Sequence, residues 1–379
     1  MDIKNLGKLG MGTWHMGEGQ SSYKSEYETL SFGLDNGINI IDTAEMYGKG
    51  LSESLVGDVI KNYDRDKIYL ISKFLPQNAS KERLEKALDK SLKRLNTAYL
   101  DLYLYHWRSG YDLSETVSEL ERLRAIGKIK NWGVSNFDTD DIKDLLEVKD
   151  GENLIANEVL YHLGSRGIEY DLKPLHNKLS IKTIAYCPLA QAGGLRNSLL
   201  NNKNLKKICK DKNISIYQLL LLFTLSRDNM ISIPKSSSID HLKELIACKD
   251  MSLTDREMDI LNKEFPKPNK KRKIGYCIMK DIKKIEKMED ILKKHRKELE
   301  DFNQALDKFK KAQEDYNKLS KYYSSSDYMN DLEKSNKGEI DPSISQGIFS
   351  EDLVFDLIGE NYQTGIKMLE IATDIIKNH

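Results

Sequence analysis

Cysteine is scarce in this 379-residue chain: Cys187, Cys209, Cys248 and Cys277 lie far apart and form no CxxC pair. That excludes a disulfide framework and fits free thiols in a reducing compartment. Net charge is absent as well, with 59 basic and 59 acidic side chains. No global field therefore argues for nucleic acid or an anionic membrane as partner. A mild split, +4 over residues 1–275 and −4 over residues 276–379, is too small to imply one. Apolar runs are short. The longest, Leu219–Phe223, falls far below the roughly 18 residues of a bilayer span, and MDIKNLGKLG lacks the apolar segment of a secretory signal. The expectation is a cytoplasmic protein without membrane or nucleic-acid partners. Two catalytic signatures are missing too. No G-x-G-x-x-G follows a strand, since Gly10 and Gly12 lack the third glycine, which disfavours a Rossmann dehydrogenase. His15, His106 and His162 form no HxH or HExxH pattern, so no metal is expected.

What the chain does hold is 39% apolar and 31% charged residues, the mix of a soluble globular protein. Up to about residue 265, short apolar or β-branched runs alternate with amphipathic stretches. The runs are Leu9–Thr13, Asn39–Asp42, Ile68–Ser72, Tyr99–Leu104, Lys130–Val134, Ala156–Leu160, Lys182–Tyr186 and Met230–Ile233. Between them lie helical patterns such as Ser80–Leu95, with Leu84, Leu88 and Leu92 four apart, and Val117–Ile126. Strand, helix, strand at this spacing argues for parallel strands, and eight such units predict an α/β fold of the (β/α)8 TIM-barrel type.

The tail is built differently. Residues 276–337 contain neither Gly nor Pro, and Ile285, Met288, Leu292, Leu299, Phe302, Leu306, Phe309 and Tyr316 keep a 3-4 spacing broken by His295 and Gln313. This predicts a long helix with a coiled-coil seam. A loop near Ser335–Gly347 and a second stripe, from Val354 to Ile376, complete a C-terminal α-helical hairpin. Pro266, Pro268 and the KKRK run stop any helix between the two parts. The division expected is a barrel over 1–268, a linker over 269–276 and a helical module over 277–379. The seam needs a covering surface, which points to self-association or a protein partner.

Chemistry concentrates at strand ends: Asp42 in NIIDTAEMYG, Tyr47 five residues on, Lys73 in YLISKF and His106 in LYLYHW. In a barrel these ends share one mouth. Reducing a carbonyl needs a proton donor where the hydride arrives. Tyrosine can donate, and a neighbouring ammonium lowers its ordinary pKa of about 10. Lys73 is expected to do this, with Asp42 holding Lys73 and His106 orienting the substrate oxygen. Each residue alone has a plainer reading: Asp42 as a cap, Lys73 as a solvent-reaching cation, His106 in an aromatic cluster, Tyr47 as loop packing. The set, one per βα unit, is the signal.

Residues 1–265 resemble the aldo-keto reductase family, through GMGTWHMG, NIIDTAEMYG, ISKF, LYHW, WGVSNF, YCPLAQAGGL and IPKSSSIDHL in family order. The resemblance implies Asp42, Tyr47, Lys73 and His106 as catalytic residues, and NADPH as cofactor, with NADH admitted. It further implies that Ser135 and Asn136 contact the nicotinamide carboxamide and that Tyr186 stacks on the ring. Leu189, Gly194 and Leu195 would lie over the pyrophosphate, and Lys235 with Ser236 would meet the 2′-phosphate. Gly12, Thr13, Trp14, Pro188, Ile233, Pro234, Ser237 and His241 complete the cofactor-facing set that it implies. Plainer readings stand beside these: Ser135–Asn136 as an N-cap, Tyr186 as core, Ser236 and Ser237 as caps of the helix after Pro234.

Three positions depart from the family pattern. Glu158 stands where Gln commonly faces the carboxamide, and a glutamate can accept but not donate. His241 replaces an Arg, and Leu245 an Asn that usually meets adenine. The implied function is NADP(H)-dependent reduction of an aldehyde or ketone. The alternative is a slow, cofactor-sensing barrel that docks a partner through its C-terminal helices. Residues 278–377 resemble a family of small helical modules of unknown function, which implies no activity.

Overall fold

The structure is a computed structural model that describes residues 2–190, 194–271, 282–350 and 352–377, and among these the side chains of all but 194, 195, 282–290 and 293. Eight parallel strands form one sheet in chain order: β1 Met11–Gly12, β2 Ile40–Asp42, β3 Tyr69–Phe74, β4 Leu100–Tyr105, β5 Ile129–Ser135, β6 Ala156–Leu160, β7 Lys182–Tyr186 and β8 Met230–Ile233. Each falls within a residue or two of its expected span. The last strand returns to the first. Ser232 N–H donates to Lys8 O at 2.8 Å, Gly10 N–H to Ser232 O at 2.9 Å and Gly12 N–H to Pro234 O at 3.0 Å. The fold is the (β/α)8 barrel that the strand count predicts.

Helices pack outside because one face of each is apolar. Lys81–Arg94 buries Leu84, Ala87, Leu88 and Leu92 against the sheet. Their starts are set by local chemistry: Asp138 with Asp141, Ser215 with Gln218 and Thr254 with Glu257 form capping boxes that satisfy otherwise orphaned N–H groups. Among the described residues no helix is long and apolar enough to cross a membrane.

The chain divides into two compact units, Met1–Lys280 and Asp281–His379. The segment after the last barrel helix is tied to the first unit: Arg166 donates to Phe265 O, and Lys271 pairs with Asp140 at 2.5 Å. Residues 272–276 of the expected linker lie outside the described residues. In the second unit the long helix runs Ile282–Tyr323 and then breaks at Ser324–Ser325, where Ser325 caps a separate helix, Ser326–Asn336. The last helix is Leu353–Lys377. The hairpin expected from the sequence thus contains a third, short helix. Tyr328 is its anchor, buried against Tyr322, Tyr323 and Phe349. The two long helices exchange an amide pair, Gln313 Nε2 donating to Asn361 Oδ1 at 2.8 Å.

Candidate active site

Alternate side chains of a barrel strand point inward. The inward series are Ile40 and Asp42 on β2, Tyr69, Ile71 and Lys73 on β3, and Leu102, Leu104 and then His106 on β4 and just beyond. They continue as Ala156 and Glu158 on β6 and Ile184 and Tyr186 on β7. The apolar members pack together as the barrel's interior plug. Above it the same parity delivers a polar layer: Asp42, Lys73, His106 and Glu158, each at least nine-tenths buried.

Lys73 is the centre of that layer. Its Nζ lies 2.6 and 2.7 Å from the two Asp42 carboxylate oxygens and 3.0 Å from Thr43 O. It also donates to Tyr47 Oη at 3.2 Å, and Glu158 Oε2 stands 3.4 Å away. Burial would push the ammonium down, but Asp42 and Glu158 outweigh it and hold Lys73 above its usual range. Removing one partner of such a buried pair strands the other, at a cost of about 3–5 kcal/mol. Asp42 is itself fixed through its backbone: Thr13 Oγ1 donates to Asp42 O at 2.9 Å, and Ser52 Oγ to Thr13 Oγ1 at 2.8 Å.

Tyr47 sits in the loop after β2. That loop is clamped by Glu45, whose Oε1 accepts from Leu75 N at 2.6 Å and Asn78 Nδ2 at 2.8 Å. Because Tyr47 Oη already accepts from Lys73, its own hydrogen is directed elsewhere, and the residue lines the cavity. Its acidity corrects the sequence expectation. Lys73 does pull the phenol down, but burial is the larger effect, the Asp42 and Glu158 carboxyls also push up, and the net shift is upward. Tyr47 is therefore a protonated phenol. His106 is neutral too: burial, then the charge of Lys73, pushes its imidazole down to about 3. Its ring meets that of Tyr47 edge-on, with centroids 6.1 Å apart.

The cavity above this layer has a volume of about 330 Å³. Asp42, Tyr47, His106, Ser135, Asn136, Glu158 and Tyr186 line it from below, with Gly12, Ile233 and Lys235 on one flank and Trp14, Met46, Trp107 and Cys187 around the rim. Lys73 lies behind that wall, fully buried. Ser135 Oγ donates to Glu158 O at 3.0 Å. Asn136, in the left-handed region at φ 59°, donates from Nδ2 to His106 O and to Ser135 Oγ, both at 3.1 Å. Tyr186 Oη donates to Asn136 Oδ1 at 2.9 Å.

The profile of the Aldo/keto reductase family matches residues 8–264, and that of a domain of unknown function, DUF4298, matches residues 285–371. The chain belongs to the aldo/keto reductase family. It is 44% identical to the methylglyoxal reductase YeaE of Escherichia coli, over 70% of this chain and 94% of that protein. It is 31% identical to the glyoxal reductase of Bacillus subtilis, over 68% of this chain and 89% of that one. Among solved structures, an aldo/keto reductase of Klebsiella pneumoniae in complex with NADP and acetate superimposes with a TM-score of 0.69 and 43% identity, covering 70% of this chain and 94% of that chain.

The other residues picked from the sequence of this aldo/keto reductase fall in two groups. Lys235, Ser236 and Ser237 follow β8 and precede the helix Ile239–Ala247, where Lys235 Nζ donates to Ser237 Oγ at 3.3 Å. The helix itself is capped by Ser238, which leaves the two earlier serines outside the capping role. His241 is exposed in the first turn, whereas Leu245 is buried in the core. Thr13, Pro188 and Pro234 are buried and do not line the cavity, and Leu189 is half-buried against the core. Gly194 begins the helix Gly194–Asn201; the side chain of Leu195 lies outside the described residues. Met46 and Cys187 line the cavity without having been picked. Cys187 has φ 52°, so the strand's parity breaks there. Its place beside Tyr186, just before Pro188, was the available signal.

Proposed function

We propose that the barrel reduces a small aldehyde or ketone with NADPH and that Tyr47 delivers the proton. The observation that carries this is the Tyr47 hydroxyl in the cavity wall, backed by the Lys73–Asp42 pair. The donor set fits the cofactor. The Lys235 ammonium and the hydroxyls of Ser236 and Ser237, just before a helix N-terminus, suit a phosphate. His106 Nδ1 and Glu158 Oε2 are buried without hydrogen-bond partners among the described residues, which suits a polar ligand in the cavity. NADPH, when bound, supplies hydride to the carbonyl carbon.

The chain's own residues supply the rest. Neutral His106 meets the carbonyl oxygen from one side and orients it. The Tyr47 O–H bond breaks as the new alcohol O–H forms, and the resulting phenolate is left 3.2 Å from the Lys73 ammonium, where its charge is compensated. Lys73 thus acts at the transition state, although burial keeps the resting phenol protonated. For substrate we infer a short 2-oxoaldehyde, with methylglyoxal as first candidate. The small cavity rimmed by Trp14, Met46 and Trp107, and the 44% identity to a methylglyoxal reductase, support this.

The test is NADPH oxidation with methylglyoxal. Tyr47→Phe is expected to cut turnover by about 10²–10⁴-fold, the span of a general acid, while NADPH still quenches the protein's fluorescence. Near wild-type turnover in that variant would remove Tyr47 from the role.

A further inference from the structure

The second unit covers little of its own apolar surface. Among its described side chains, Tyr328 and Val354 alone are buried hydrophobic residues. A helix in a protein is held mainly by the apolar face it packs away, and the last helix, Leu353–Lys377, carries two such faces. One is made of Val354, Ile358, Asn361, Gly365 and Met368. These are buried or half-buried and lie on the side of the Asn361–Gln313 pair. The other lies roughly a third of a turn away. Its residues Phe355, Tyr362, Leu369 and Ile376 recur every seven positions and are between 65% and 75% exposed. Ile366 is half-buried among them, and Gly359 leaves a gap in the row where a Cβ would meet nothing within 4 Å. Glycine is an unfavourable residue for an exposed helix interior, so the gap calls for a reason.

We propose that this exposed face docks on the same face of a second copy of the chain, the two last helices lying antiparallel about a two-fold axis level with Lys367. In that register Ile366 meets the partner's Leu369. The partner's Ile376 seats over Gly359, between Phe355 and Tyr362. The polar row that borders the face on its open side is Asp356, Gln363, Glu370 and Lys377, all exposed. The same antiparallel register sets Asp356 opposite the partner's Lys377 and Gln363 opposite the partner's Glu370. Two-fold symmetry makes each contact occur twice. The face is therefore complementary to itself in both shape and charge, which selects another copy as its occupant. Four side chains this exposed offer on the order of 500 Å² per copy, hence about 1,000 Å² for the pair, where specific interfaces begin. The contact is independent of the NADPH reading.

Sedimentation equilibrium of the full chain, 43.6 kDa per copy, tests it. The expected result is a dimer that dissociates in the micromolar range, as suits an interface of this size. A single-copy mass up to about 100 µM would overturn the proposal and leave the face to a different protein. Leu369→Glu is expected to weaken the dimer at least about tenfold, with helix content by circular dichroism unchanged because the side chain is exposed. A dimer unaltered by Leu369→Glu would place the contact elsewhere and refute this face. Charge exchange tests the register without touching the apolar row. Lys377→Glu sets like charges opposite each other twice and is expected to weaken the dimer about three- to tenfold at low salt. Adding Asp356→Lys restores opposite charges and is expected to bring affinity back within about twofold of wild type. A double variant no tighter than Lys377→Glu alone would overturn the antiparallel pairing.

Discussion

His106 meets the cavity as a neutral ring, pushed down to about 3 by burial and the charge of Lys73. A neutral imidazole can both donate and accept, so it can hold a carbonyl oxygen without competing with Tyr47 for the proton. The kcat/KM profile of methylglyoxal reduction is therefore expected to show no limb from this residue between pH 5 and 8. The stability consequence has a definite sign. The unfolded chain takes up a proton on His106 as pH falls below about 6.5, and the folded chain does not until about 3. Stability is thus lost as pH falls through that window, by up to about 1.4 kcal/mol per pH unit. Urea unfolding of wild type and His106→Gln at pH 7 and 5 reads the difference. A variant that loses as much stability as wild type on acidification would show that the ring is protonated in the fold.

Register carries the site at the level of elements. β5 and β6 pair Ser135 with Glu158, and two residues earlier β5 passes so close to β6 that no side chain fits. A Cβ on Gly133 would lie 2.5 Å from Ala156 O and 2.8 Å from Leu104 Cδ2. The backbone oxygen cannot yield as a flexible side chain would. Gly133→Ala is expected to cost about 1–3 kcal/mol by overpacking and to weaken NADPH binding, because Ser135 ends the same strand and Asn136 follows it directly, both in the cavity wall. An unchanged urea midpoint would show that the strands move apart freely. In the second unit the helical seam is unevenly covered. Leu292, Leu299 and Phe302 are about half exposed, whereas the stretch near Gln313 meets the last helix through the Gln313–Asn361 pair.

On the scale of the whole molecule, every residue given a chemical role lies in the first unit, before Phe265. The segment that follows is tied back to that unit by Arg166 at Phe265 O and by Asp140 at Lys271. We therefore expect a chain ending after Lys271 to fold, to bind NADPH and to reduce methylglyoxal at a rate within about threefold of the full chain, since no first-unit contact named above is lost. Loss of NADPH quenching in the shortened protein would make the helical module part of the reductase's own framework.

The sequence alone carried the fold and most of the mouth. Period-two apolar runs closed by polar residues define eight strands, and parity then brings Asp42, Lys73, His106, Glu158 and Tyr186 to one end of the barrel, whatever surrounds them. Quantities that depend on what lies around a side chain, rather than on its place along the chain, were decided by tertiary packing. Whether Lys73 or burial wins at Tyr47 is a balance of desolvation against charge, and it came out opposite to the expectation. The donors of Ser135 and Asn136 look available in the sequence but are consumed within the wall. Glu158 reads as an acceptor in the sequence; burial and the neighbouring Asp42 carboxyl, brought up by another strand, hold its carboxyl well above the ordinary carboxylate range.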